Sequence, residues 1–171
     1  MIKRTITLLF IFTLTAGLMA QEDDGTLNKV GDKAPAFKAS TIDGQLIDTQ
    51  ELKGKVIWVN FFATWCPPCK KELPVLQENV YKKYMDNKDF VLVVLGREHN
   101  IEELKEFAAQ WEYDLPFAPD IERKIFAQYA KISIPRNVII DKEGNISLQS
   151  IGYTEEEFAE IEEHVANLLK K

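Results

Sequence analysis

The chain is short of sulfur and of histidine. Of its 171 residues only two are cysteine, Cys66 and Cys69, and only two are histidine. A structural zinc site needs four ligands brought close together, so a supply this small argues against one. Positive charge is short as well: Lys and Arg number 21 against 27 Asp and Glu, a net charge of −6. No basic stripe offsets it, and nothing in the chain would neutralise phosphates, so nucleic acid is excluded as a partner. After residue 20 no apolar run approaches the ~20 residues that a membrane span takes. Internal repeats, low-complexity tracts and linkers are absent too. Core-forming material, by contrast, is ample. Hydrophobic residues make up 46%, with ten Phe and three Trp, which excludes disorder and, at this length, points to one domain.

The first twenty residues differ from the rest. Lys3 and Arg4 precede the apolar run from Ile6 to Met19, and Ala20 is followed by Gln21-Glu22-Asp23-Asp24. A basic start, an apolar middle and a small residue before a polar stretch define a secretory signal peptide over 1–20. Its removal would take away two positive charges and leave a still more acidic chain. The alternative is a retained N-terminal membrane anchor. No cysteine lies near the cleavage point, so a lipid anchor there is excluded. Residues 21–30 are expected to be a flexible polar segment, and 31–171 the folded domain.

From Gly31 onward the pattern is dense. Ala36 to Ser40 and Gln45 to Asp48 flank Asp43-Gly44, a hairpin turn dipeptide. Val56 to Phe62 is apolar on both faces except at Asn60, as a strand buried between two helical layers would be. Residues 67–85 predict a helix with Leu73, Leu76, Val80 and Tyr84 on one stripe, kinked at Pro74. Phe90 to Leu95 is a second buried strand, stopped at Gly96. Asn100 and Glu103 form a capping box for a helix from Ile101 to about Gln110. Asp120 is expected to cap another helix reaching about Ala130. Arg136 to Ile140 and Asn145 to Ile151 are strands around the Asp141–Gly144 turn, and Thr154 with Glu157 opens a last helix. The β-α-β portion implies a parallel pair with a right-handed crossover, and the final hairpin adds antiparallel strands. The class is α/β with a mixed sheet.

The chemistry centres on Trp65-Cys66-Pro67-Pro68-Cys69. Disulfide exchange needs a thiolate, hence a lowered pKa and access to solvent. Cys66 falls where the central strand ends and a helix begins, where unpaired N–H groups and the helix dipole favour an anion. Pro67 and Pro68 suit a first helical turn and stiffen the loop. Cys69, one turn deeper, is placed to attack a mixed disulfide formed at Cys66. The other reading is a structural staple, but a bridge across so short a loop constrains little of the unfolded chain. A peroxide-reducing site would carry Pro and Thr where Val59 and Ala63 stand.

The run Phe61-Phe62-Ala63-Thr64-Trp65-Cys66-Pro67-Pro68-Cys69-Lys70-Lys71-Glu72-Leu73-Pro74 resembles the active-site segment of thioredoxin-fold proteins. With Ala34-Pro35-Ala36-Phe37, Asp43-Gly44 and Leu52-Lys53-Gly54-Lys55 upstream, the chain is most similar to exported thiol-disulfide oxidoreductases of the TlpA/ResA type, over roughly Val30 to Leu169. The resemblance implies a thioredoxin fold with an extra N-terminal β-hairpin and no cofactor. It implies a cis bond at Ile134-Pro135, packed beside the cysteines, with the Ile134 backbone free to pair with substrate. Trp65 and Pro67 would complete the substrate surface. Glu72, three residues past Cys69 on the same helical face, would tune the cysteines as a catalytic carboxylate, since Asn60 stands where cytosolic thioredoxins carry a buried aspartate.

By the same resemblance the activity is disulfide reduction in the periplasm or another extracytoplasmic compartment. Substrates would be protein disulfides, apocytochrome c among them, and electrons would come from a membrane thiol-disulfide donor. The alternatives are an oxidase or isomerase, and a redox-inert binding or copper-delivery module. Of the remaining residues, Trp58 and Trp111 are expected in the core and His164 exposed on the last helix. Arg97, Glu98 and His99 are expected at the same sheet edge as the cysteines, as a solvated loop or, in the alternative, as lining of the substrate groove.

Overall fold

A computed structural model describes residues 24–170, so the expected leader over 1–20 lies outside the described residues. Two short strands, β1 (Lys38–Ser40) and β2 (Leu46–Asp48), pair antiparallel around Asp43-Gly44. Five more form one mixed sheet in the order β5-β4-β3-β6-β7: β3 (Val56–Phe62), β4 (Phe90–Arg97), β5 (Phe117–Asp120), β6 (Arg136–Ile140) and β7 (Ile146–Ile151). β3 runs parallel to β4 and β4 to β5, whereas β6 is antiparallel to both β3 and β7. The carboxyl ends of β3, β4 and β5 therefore meet the start of β6 at a single sheet edge.

β3 is buried throughout because its side chains, alternating along the strand, feed two separate cores. Val56, Trp58 and Phe62 pack with Leu73, Leu76, Leu104, Phe107, Phe158 and Ile161, all from the helical layer. Ile57, Val59 and Phe61 pack with Phe37, Ile47, Phe126 and Tyr129. The second layer is thus the N-terminal hairpin and one short helix, where two layers of helix were expected. Asn60 shares the face of Trp58 and Phe62, and this directs it toward the helix that follows the cysteines.

That helix is not one kinked rod over 67–85. α1 (Pro67–Val75) is followed by π turns over Leu76–Tyr81 and then by α2 (Lys82–Tyr84). Pro74 has no N–H to give to the turn before it. The ladder then shifts register, and the Lys82 N–H reaches back to the Gln77 carbonyl. α3 (Ile101–Trp111) begins with the expected capping box, Asn100 and Glu103 each bonding the other's backbone.

Three expectations fail between residues 96 and 130. β4 continues past Gly96 to Arg97, and β5, which the sequence did not suggest, pairs with its end. Pro116 and Pro119 disguise β5, and an edge strand tolerates such residues because one side needs no ladder. Asp120 ends that strand. Its carboxylate accepts from the Ile125 and Phe126 N–H groups, so it caps α4 (Phe126–Tyr129) from across a loop, and α4 is a single turn.

Residues 24–30 are tied down rather than free polar chain. Thr26 forms an antiparallel bridge with Ala130, and the Leu27 N–H donates to Tyr129 O at 2.9 Å. Buried Arg136 holds this strap, donating to Thr26 Oγ1 at 2.7 Å and to the Asp24 carbonyl at 3.1 Å. The last helix, α5 (Glu155–Leu169), buries Phe158, Ile161 and Val165, and Thr154 Oγ1 accepts from the Glu157 N–H at 3.1 Å. Thr154→Ala is expected to cost about 1 kcal/mol, seen as a lower urea midpoint at unchanged slope.

Candidate active site

Cys66 is the N-cap of α1 and is joined to Cys69 in a disulfide with an S–S distance of 2.12 Å. The Cys69 N–H points at Cys66 Sγ, 3.3 Å away. Pro67 and Pro68 have no N–H of their own, so this donor is the first that the helix start offers to the sulfur. In a reduced pair this one N–H and the helix dipole would give a Cys66 thiolate only modest support, because the two prolines add no further donor. Both cysteines are less open than the sequence suggested: Cys66 is 3% exposed and Cys69 0%. Cys66 is the slightly more exposed of the two, and Cys69 is fully enclosed.

Ile134-Pro135 is a cis peptide bond, and the Ile134 carbonyl oxygen lies 3.8 Å from Cys66 Sγ. Trp65, 58% exposed, stands beside Cys66 with the Arg97 guanidinium 5.6 Å from its ring centroid. The same guanidinium lies 5.2 Å from the Phe126 ring. Pro67 is exposed on the rim. Trp65, Cys66, Pro67, Ile134 and Pro135 therefore gather at one edge of the sheet, as the topology requires.

Beneath them runs a buried polar network. Glu72, one helical turn past Cys69 and 1% exposed, accepts from Asn137 Nδ2 at 2.6 Å and from Asn60 Nδ2 at 2.9 Å. Asn137 Oδ1 in turn accepts from Trp58 Nε1 and from Asn60 Nδ2. Loss of water around Glu72 raises its pKa from 4.5 to about 7, against the opposing pull of the Asn137 and Asn60 amides. A carboxyl that titrates near neutrality can take up and return a proton under ordinary conditions.

Sequence reasoning did not single out Asn137, although an amide next to the apolar run Val138–Ile140 was the available signal. The expectation of a solvated loop at 97–99 holds for exposed Glu98 and is corrected for Arg97 and His99. Arg97 is wedged between two aromatic rings, and His99 is buried with Nε2 accepting from the Thr64 N–H. Trp111 is also corrected: it is 48% exposed, lies against Phe107 and carries the Lys70 ammonium 5.9 Å from its centroid. His164 is half-buried, bonded to Ser147 Oγ at 3.0 Å. Trp58 is in the core as expected. Among the described residues no three His, Cys, Asp or Glu side chains are grouped to hold a metal ion.

A CXXC disulfide at the N-cap of the helix after the central strand, faced by a cis-proline loop and carried on a β-α-β plus β-β-α sheet, defines a thioredoxin-fold thiol-disulfide oxidoreductase. The comparisons with known proteins agree. The Redoxin family model matches residues 29–167, and the chain belongs to that family. It is 34% identical over 141 residues to the thiol-disulfide oxidoreductase ResA of Bacillus thuringiensis, covering 82% of this chain and 79% of the relative. The solution structure of a candidate protein disulfide isomerase from Bacteroides thetaiotaomicron superposes with a TM-score of 0.82 at 36% identity. That match covers 86% of this chain and 94% of the other. The crystal structure of a candidate thiol:disulfide interchange protein DsbE from Chlorobium tepidum gives a TM-score of 0.73 at 26% identity, over 84% of this chain and 99% of the other.

Proposed function

We propose that the protein is a disulfide reductase acting outside the cytoplasm, with Cys66 as attacking thiol, Cys69 as resolving thiol and Glu72 as the proton acceptor for Cys69. The Cys66 thiolate attacks one sulfur of a substrate disulfide, forming a mixed disulfide and releasing the other substrate sulfur as a thiolate. The Cys69 thiol gives its proton to the Glu72 carboxylate and attacks Cys66 Sγ. The second substrate thiolate leaves, and the Cys66–Cys69 disulfide remains. Trp65, Pro67, Ile134 and Pro135 form the surface against which the substrate segment lies.

One observation carries the direction of electron flow. With prolines at the first two helical positions, the Cys69 N–H is the donor that reaches Cys66 Sγ. A thiolate with little hydrogen-bond support makes the reduced form costly, and a couple whose reduced form is costly gives up its electrons readily. Equilibration with glutathione or dithiothreitol buffers should place the potential near the ~−270 mV of thioredoxin. A value near ~−120 mV would instead make the protein an oxidase.

The N-terminal sequence supports the compartment. A leader over 1–20 would deliver the domain to an oxidising space, where a membrane thiol-disulfide donor must resupply electrons and apocytochrome c is a fitting substrate. The mature chain isolated from the cell envelope is expected to begin at Gln21 by mass. A chain retaining Met1 there would favour the anchored form.

A further inference from the structure

The chemistry above uses no histidine, yet His99 is 6% exposed at the mouth of the site. It follows β4 and faces the turn that leads into the cysteines. Its Nε2 accepts from the Thr64 backbone N–H at 3.0 Å and lies 3.4 Å from Thr64 Oγ1. Its Nδ1 lies 3.2 Å from Glu103 Oε2, which also takes the Asn100 N–H at 2.9 Å. A backbone N–H can only donate, so Nε2 must be the bare nitrogen and Nδ1 must carry the proton. The acceptor on that side is a carboxylate: the Asn100 N–H and then His99 hold Glu103 below its ordinary pKa. Phe62 lies against the ring, with centroids 6.3 Å apart. A Cβ on Gly96 would stand 3.3 Å from that of His99, so the backbone of β4 closes the other side.

The Thr64 N–H is two residues before Cys66, inside the turn closed by the Cys66 N–H on Ala63 O at 3.1 Å. This turn sets where Cys66 Sγ stands relative to the Cys69 N–H. We propose that His99, as the Nδ1–H tautomer, is a positioning residue for Cys66: it holds the Thr64 N–H and thereby fixes the turn that presents the sulfur. The proposal rests on Cys66 being the attacking thiol. Protonation of Nε2 removes the acceptor and opposes two donors. The acidic groups beside the ring are Glu103 and Glu106 of α3; β3 contributes Phe62 and the turn Thr64. Glu106 and Glu103 border a hollow of about 240 Å³ shared with His99 and Thr64.

The test compares His99→Leu with His99→Gln. Glutamine can accept from Thr64 and donate to Glu103 but does not titrate. In His99→Leu, disulfide reduction should slow about tenfold, the scale of one lost buried hydrogen bond, and the Cys66 thiol should titrate at higher pH. In His99→Gln both should return to within about threefold of wild type. Unchanged Cys66 titration and rate in folded His99→Leu would overturn the proposal, as would equal impairment of the two variants. If His99→Leu does not fold, imidazole ¹⁵N shifts in the wild type decide: a protonated Nε2 at neutral pH refutes it. Cys66→Ser in the same assay separates the two readings, since turnover by that variant would remove the nucleophile assignment and leave the tautomer measurement intact.

Discussion

Cys66→Ser is expected to reduce disulfide exchange to the uncatalysed rate, while Cys69→Ser should still attack substrate and then stop. The asymmetry comes from position. Cys66 is the outer sulfur, at the N-cap with a backbone N–H aimed at it, so it meets substrate first. Cys69 is fully enclosed and reaches only the sulfur of Cys66. A hydroxyl in place of the Cys66 thiol is protonated at any working pH, and the weak stabilisation at the helix start cannot change that. In Cys69→Ser the mixed disulfide has no resolving thiol, so a covalent adduct with substrate should accumulate. Mass spectrometry under non-reducing conditions checks both outcomes. An adduct formed through Cys69 in Cys66→Ser would reverse the assignment.

The second large effect concerns Glu72. Burial raises its pKa from 4.5 to about 7 in the folded protein, so the folded state favours the protonated carboxyl. The stabilisation from that proton is fully present below pH 4.5 and is lost as pH rises through about 7. At ~1.36 kcal/mol per unit the whole change is about 3 kcal/mol. Urea unfolding of the oxidised protein across this range should show wild-type stability falling relative to Glu72→Gln, which has no proton to lose. Parallel profiles for the two proteins would mean that the carboxylate is already accommodated.

The same substitution tests the chemistry. If Glu72 takes the Cys69 proton, the resolving step in the wild type should quicken as pH passes through the Glu72 titration. Removing the base should slow that step by about a hundredfold and abolish the pH dependence. Asn137 and Asn60 belong to the same network, so Asn137→Ala should move the profile as well as lower stability, because it removes one of the two amides that support the carboxylate.

Much of the frame is written locally. β3 over Val56–Phe62 and the Asn100–Glu103 capping box were legible because an unbroken apolar run and a cap act within a few residues. The hairpin at Asp43-Gly44 was legible for the same reason. What failed was decided by neighbours distant in the chain. β5 exists because β4 offers an edge to residues with poor strand propensity. The strap over 24–30 is held by Arg136, more than a hundred residues away.

By itself, then, the sequence determined the oxidoreductase motif at Cys66 and Cys69, their helix-start setting and the mixed α/β frame. Each of these depends on spacing, capping or composition within one short stretch. The tertiary structure decided how enclosed the sulfurs are and which polar groups support them. Glu72 meets Asn60 twelve residues back and Asn137 sixty-five residues on, and His99 meets Thr64 across thirty-five. Those meetings follow from placing β6 beside β3 and the end of β4 beside the cysteine turn, an order that no local pattern encodes. The exclusion of water that moves the Glu72 pKa belongs to the packed layers together, and no single segment carries it.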